Sequence, residues 1–161
     1  MQLKLSLNKH YYEDYLRWLF ESPTGEIIIS HKMNLGKYLY AMVHTSDLPV
    51  NPPEGDIVID IKIATRHTKL IPNKFYFYPP AVLDQINDML EFYFDTDLRY
   101  YCLIGSELSM PRKQVYESFM TSRKMRPSRE IYDMIKQRDY RRRQKLAKIL
   151  NENMQQTDFQ Y

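Results

Sequence analysis

The hydrophobic positions of this chain change period about halfway along it. Residues 2–7 (QLKLSL) alternate, which predicts a short strand. Tyr12, Leu16 and Leu19 then recur at helical spacing, with Asn8 placed to cap that helix. Ser22-Pro23-Thr24-Gly25 supplies the turn chemistry that ends it. The three isoleucines of residues 26–30 (EIIIS) suit a strand buried on both faces. Asn34 is placed to cap a second helix, with Leu35, Tyr38, Leu39, Met42 and Val43 on one face. Three prolines and a glycine make residues 45–55 a loop. In the next strand Ile57, Ile59, Ile61 and Ile63 point one way, and Val58, Asp60 and Lys62 the other. Residues 64–74 show no period and read as a turn. Phe75–Tyr78 reads as a fourth, aromatic strand.

From residue 80 onward the period is helical. Pro80 suits a first helical position. Val82, Ile86, Met89, Leu90 and Tyr93 form an apolar face opposite Asp84, Gln85, Asn87, Asp88 and Glu91. Asp95 to Asp97 predicts a break and a new helix through Leu98, Tyr101 and Ile104, weakened at Gly105-Ser106. Pro111 opens a third helix with Val115, Phe119 and Met120 inward. Ser128 is a suitable cap for a fourth, long helix reaching about Asn153. The tail, residues 154–161, is expected to fray. The fold class is therefore α+β. A small mixed sheet with helices (residues 1–79) precedes a C-terminal helical bundle (residues 80–153) ending in a long basic helix. The density of aromatic residues suggests that the two portions share one core.

Composition adds exclusions. Aromatic residues make up 14% of the 161 residues, against a wholly disordered chain. Cys102 is the single cysteine, so an internal disulfide is excluded. No apolar run approaches the roughly 18 residues of a membrane span. The N-terminus carries no cleavable signal pattern. These features predict a soluble, cytoplasmic protein.

The net charge of +3 conceals a strong asymmetry. Residues 1–109 hold 10 Lys and Arg against 14 Asp and Glu, whereas residues 110–148 hold 13 against 4. The long helix carries KQRDYRRRQK at residues 136–145. Like charges at i, i+4, such as Arg138 and Arg142, or Arg141 and Lys145, repel unless an anion lies alongside. Such asymmetry points to a polyanion or an acidic protein surface. The expected partner is nucleic acid, DNA favoured, because neutralised phosphates release counterions. The candidate phosphate-binding residues are Arg112, Lys113, Arg123, Lys124, Arg126, Arg138, Arg141, Arg142, Arg143 and Lys145. The helices at about 97–107 and 111–122 loosely suggest a helix-turn-helix, with Arg112, Lys113, Gln114 and Glu117 facing a major groove. Regulation or replication of a small mobile genome, such as a phage, would suit this size. The alternative is an assembly or adaptor protein whose basic helix docks on an acidic surface, such as the residue 84–91 face of another copy. Residues 84–91 are also a plausible partner within the same chain.

Catalytic motifs are sparse, and a non-catalytic protein without cofactor or metal is expected. Asp60-Ile61-Lys62 resembles the acid-x-Lys core of restriction-type metal nucleases, in which two carboxylates hold Mg²⁺ and the lysine positions water. Asp47 or Asp56 would be the second acid. The competing reading is a cross-strand ion pair on the solvated face of an edge strand. His10, His31, His44 and His67 lack ligand spacing, and Cys102 reads as a small core residue. Phe75-Tyr76-Phe77-Tyr78 and Tyr100-Tyr101 could stack bases, although such rings are more often buried for their area.

Overall fold

A computed structural model describes residues 1–64 and 70–156. The element order is β1 (Gln2–Ser6), α1 (His10–Leu19), β2 (Ile27–Ile29), α2 (Asn34–Ala41), β3 (His44–Ser46), β4 (Val58–Ile63), β5 (Phe75–Phe77), α3 (Pro80–Glu107), α4 (Arg112–Ser122) and α5 (Arg129–Gln156). The expected α+β architecture is what the chain adopts: the described residues form five helices and a small mixed sheet. Residues 65–69 of the predicted turn, His67 among them, and residues 157–161 of the tail lie outside the described residues.

The chain forms two compact units. One comprises Met1–Asp95 with Arg123–Arg126, the other Thr96–Ser122 with the residues from Pro127 onward. In the first, β4 is central: β1 runs antiparallel to it with Leu3 opposite Ile61, and β2 runs parallel with Ile27 opposite Ile61. Alternation along β4 is as predicted, with Ile59, Ile61 and Ile63 buried and Val58, Asp60 and Lys62 exposed. Its expected position at a sheet edge is not, since it is paired on both sides. β1 and β2 are the edges instead, and β2 is the one predicted to be covered on both faces. It has one buried face, so Ile28 is 54% exposed and the expectation of double-sided burial fails. β3 falls partly within the predicted loop and pairs with β5 in a separate two-stranded sheet.

α1 begins after Lys9 with no side-chain cap. Asn8 instead donates its backbone N–H to Asn87 Oδ1 at 2.8 Å. Asn87 also donates to the Ser6 carbonyl at 2.9 Å, so this residue, assigned to a polar face by period, is buried. Likewise α2 is preceded by Met33, and Asn34 is its first residue. Tyr11 and Tyr15 of α1 pack on Phe94 of α3 with ring centroids 5.0 and 5.4 Å apart.

α3 is a single helix of 28 residues, not two. Leu90, Phe94, Leu98 and Cys102 are all buried at a spacing of four. That unbroken stripe overrides the capping preference of Asp95 and Asp97. Among the described residues, three helices rather than four therefore run from residue 80 onward. α5 continues to Gln156, past the predicted end at Asn153. In the second unit α3 and α4 approach closely at Gly105. A Cβ there would lie 2.5 Å from Val115 Cγ2. Gly105 is thus a packing residue inside a continuous helix.

Candidate nucleic-acid interface

In the second unit the first turn of α4 faces the middle of α5. Buried between them is one acid, Asp139, 2% exposed. It accepts a hydrogen bond from the Tyr116 hydroxyl at 2.6 Å. Arg142 and Arg143, three and four residues on, reach back to it at 3.2 and 3.1 Å. Arg112 of α4 approaches at 3.5 Å. Burial, the largest influence on Asp139, raises its pKa. The Tyr116 hydrogen bond and the charges of Arg112, Arg142 and Arg143 together outweigh burial and hold it below the ordinary carboxylate value. Burial and the hydrogen bond to Asp139 push Tyr116 up to about 12. Burial, then the charge of Asp139, push the Cys102 thiol up to about 11. Three guanidinium groups around one carboxylate leave a surplus of positive charge at the surface.

Above this cluster lies a cleft of about 590 Å³. Arg112, Lys113 and Tyr116 of α4 line one side. Tyr132, Asp133, Lys136, Gln137, Tyr140 and Arg143 of α5 line the other. Tyr132, Lys136 and Tyr140 recur every fourth residue, which places them on one helix face. Arg143 stacks over the Tyr140 ring at 5.9 Å, and Tyr140 is 52% exposed. Four cations thus line the cleft with one acid, Asp133, which Arg129 meets at 3.8 Å.

The ten predicted residues are distributed unevenly. Arg112, Lys113 and Arg143 line the cleft, and Arg142 lies beside it on Asp139. Arg141 and Lys145 are exposed elsewhere on α5, and Arg138 is half-buried. Arg123, Lys124 and Arg126 belong to the other unit. There Arg123 sits 4.2 Å over the Trp18 ring, and Arg126 binds buried Asp14 at 3.0 Å through Nε. The carboxylate of Asp14 raises the Arg126 pKa further. Sequence reasoning missed Lys136, Tyr132, Tyr140 and Asp139. The spacing of Asp139 to Arg142 and Arg143 was the available signal.

The nuclease-like residues take the competing arrangement. Asp60 of β4 pairs with Lys4 of β1 at 2.8 Å, both exposed. Asp47 is held by Lys74. Among the described residues, no group of three His, Cys, Asp or Glu could hold a metal ion. The aromatic strand is mixed: Phe75 is 44% exposed, while Tyr78 is buried and donates to the Leu39 carbonyl at 2.8 Å. No described helix is long and apolar enough to cross a membrane. The chain matches no protein-family model, and neither a curated protein nor a solved structure is significantly similar to it.

Proposed function

We propose that this chain is a non-catalytic nucleic-acid-binding protein, DNA favoured, and that the α4–α5 cleft is its contact surface. One observation carries the reading. Arg112, Lys113, Lys136 and Arg143 come from two helices yet line one groove, together with exposed Tyr140. Cations so grouped suit the spaced phosphates of a backbone. Tyrosine rings beside them offer faces for an unpaired base or a sugar. Asp139 beneath orients two of the arginines, in the manner of a supporting carboxylate.

The cluster dictates which variants are informative. Reversing Arg141, Arg142 and Arg143 together would replace two of the three cations around buried Asp139 with acids, and lost binding would then be confounded with lost folding. Lys113 and Lys136 stand outside the Asp139 cluster. Lys113 meets Glu117 at 3.8 Å, in an exposed pair. The double variant Lys113→Glu, Lys136→Glu is therefore expected to retain its circular dichroism while losing at least tenfold in affinity for a random-sequence DNA duplex. Undiminished binding by the folded double variant would refute the assignment.

A further inference from the structure

Past Asp139 no described residue of α5 is buried, yet the apolar period continues. Leu146, Ile149, Leu150 and Met154 are 39%, 41%, 60% and 73% exposed. They lie on the helix face that Ile135 and Asp139 bury nearer its start. The end of α3 and Leu108 just after it carry a second such stripe within the same unit. Tyr100, Leu103, Ile104 and Leu108 are 66%, 51%, 39% and 67% exposed. Apolar residues scattered singly on a surface need no explanation, but two stripes at helical spacing mark a contact surface.

We propose that the partner is a second copy of this chain. Residues 146–154 of α5 in one copy lie on residues 100–108, the end of α3 and the residue after it, in the other, and a two-fold axis repeats the contact. Two properties favour this occupant. The first is area. At roughly 100 Å² of exposed surface apiece, the eight side chains supply about the 800 Å² per partner of a standard interface. Either stripe alone supplies half. The second is charge. The α3 stripe holds Glu107 on its own arc, whereas the α5 stripe is bordered by Lys145 and by Glu152, which Lys148 meets at 3.8 Å. α5 on α3 sets Glu107 toward Lys145, while parallel pairing of α5 with α5 would set Lys145 against Lys145. Such an interface is isologous and closes on itself, so it yields a dimer rather than a filament.

The test is sedimentation equilibrium of the full chain with Leu103→Glu, Leu150→Glu and an equimolar mixture of the two. Both positions are exposed, and Leu108→Glu with Ile149→Lys provides a second pair if either variant misfolds by circular dichroism. The wild type is expected to be dimeric. Each variant alone is expected to dissociate at least tenfold more readily. The mixture is expected to associate more readily than either variant alone, because one of its two contacts then pairs an intact α3 stripe with an intact α5 stripe. A monomeric wild type at hundred-micromolar concentration would overturn the proposal. So would dimers of either single variant with wild-type affinity, or a mixture that associates no more readily than the variants alone.

Discussion

The Tyr116 hydroxyl donates to the buried carboxylate of Asp139 at 2.6 Å, linking the first half of α4 to the middle of α5. Around this bond the second unit gathers Arg112, Arg142 and Arg143. Removing the charge leaves three cations facing one another over a neutral amide. Asp139→Asn is therefore expected to cost about 3 kcal/mol near neutral pH, and Tyr116→Phe about 2 kcal/mol. Urea unfolding monitored by circular dichroism measures both.

The same carboxylate predicts a pH dependence. Its folded pKa lies below the ordinary value of about 4. Its contribution to stability is therefore complete above about pH 4 and is lost as pH falls through the lowered folded value. The stability difference between wild type and Asp139→Asn is expected to be constant from neutral pH down to about 5 and to shrink below about 4. A difference that stays constant at lower pH would contradict the assignment of the shift to this residue.

The basic segment of the sequence assigns Arg126 to phosphate, but its Nε and its backbone N–H both donate to Asp14, at 3.0 Å each. Asp14→Ala is expected to lower stability by about 1–2 kcal/mol, mainly by leaving the partly buried Arg126 backbone N–H without its acceptor. The exposed guanidinium adds little, because solvent screens it. Affinity for DNA should not change. Thermal melting and a binding titration on the same variant separate the two roles.

Gly105 lets Val115 approach α3. Ala ordinarily gains about 1 kcal/mol over Gly inside a helix. Here the added methyl meets Val115, so Gly105→Ala is expected to lower stability by about 1 kcal/mol overall. Val115→Ala in the same chain should recover part of that loss. Melting temperatures of the two single variants and the double variant provide the test.

Cys102 is buried, and its pKa is pushed up to about 11. Thiolate is the reactive form. The native protein is expected to resist a disulfide reagent near neutral pH and to react within seconds once unfolded in urea. Rapid labelling of the native protein would show that this part of α3 opens.

Much of this architecture was legible in the alternation and periodicity of apolar residues. The isoleucines of β4 announce a half-buried strand, and the helical pattern from residue 80 onward announces α3, α4 and α5. Tertiary context decided the rest. Asp95 and Asp97 resemble caps, but Phe94 and Leu98 are buried on one stripe, so the helix runs through them. Ile28 resembles a core residue, but β2 pairs on one side only. At the candidate site the basic segment was plain, while the division of labour within it was not. Whether an arginine serves phosphate or fold depends on a partner: Asp139 for Arg142 and Arg143, and Asp14, distant in sequence, for Arg126. Lys136 stands apart from the arginine run in sequence. Its place between Tyr132 and Tyr140 becomes meaningful only once α4 stands opposite.

The most direct test of the α4–α5 cleft is duplex DNA binding by fluorescence anisotropy across a salt series. Wild type and the Lys113→Glu, Lys136→Glu variant would be compared. The log–log slope becomes shallower by about 0.9 for each phosphate that the protein no longer neutralises. The account predicts a steep linear dependence for the wild type and a slope shallower by about two in the variant. Equal slopes and equal affinities for the two proteins, or no wild-type binding at low salt, would contradict it.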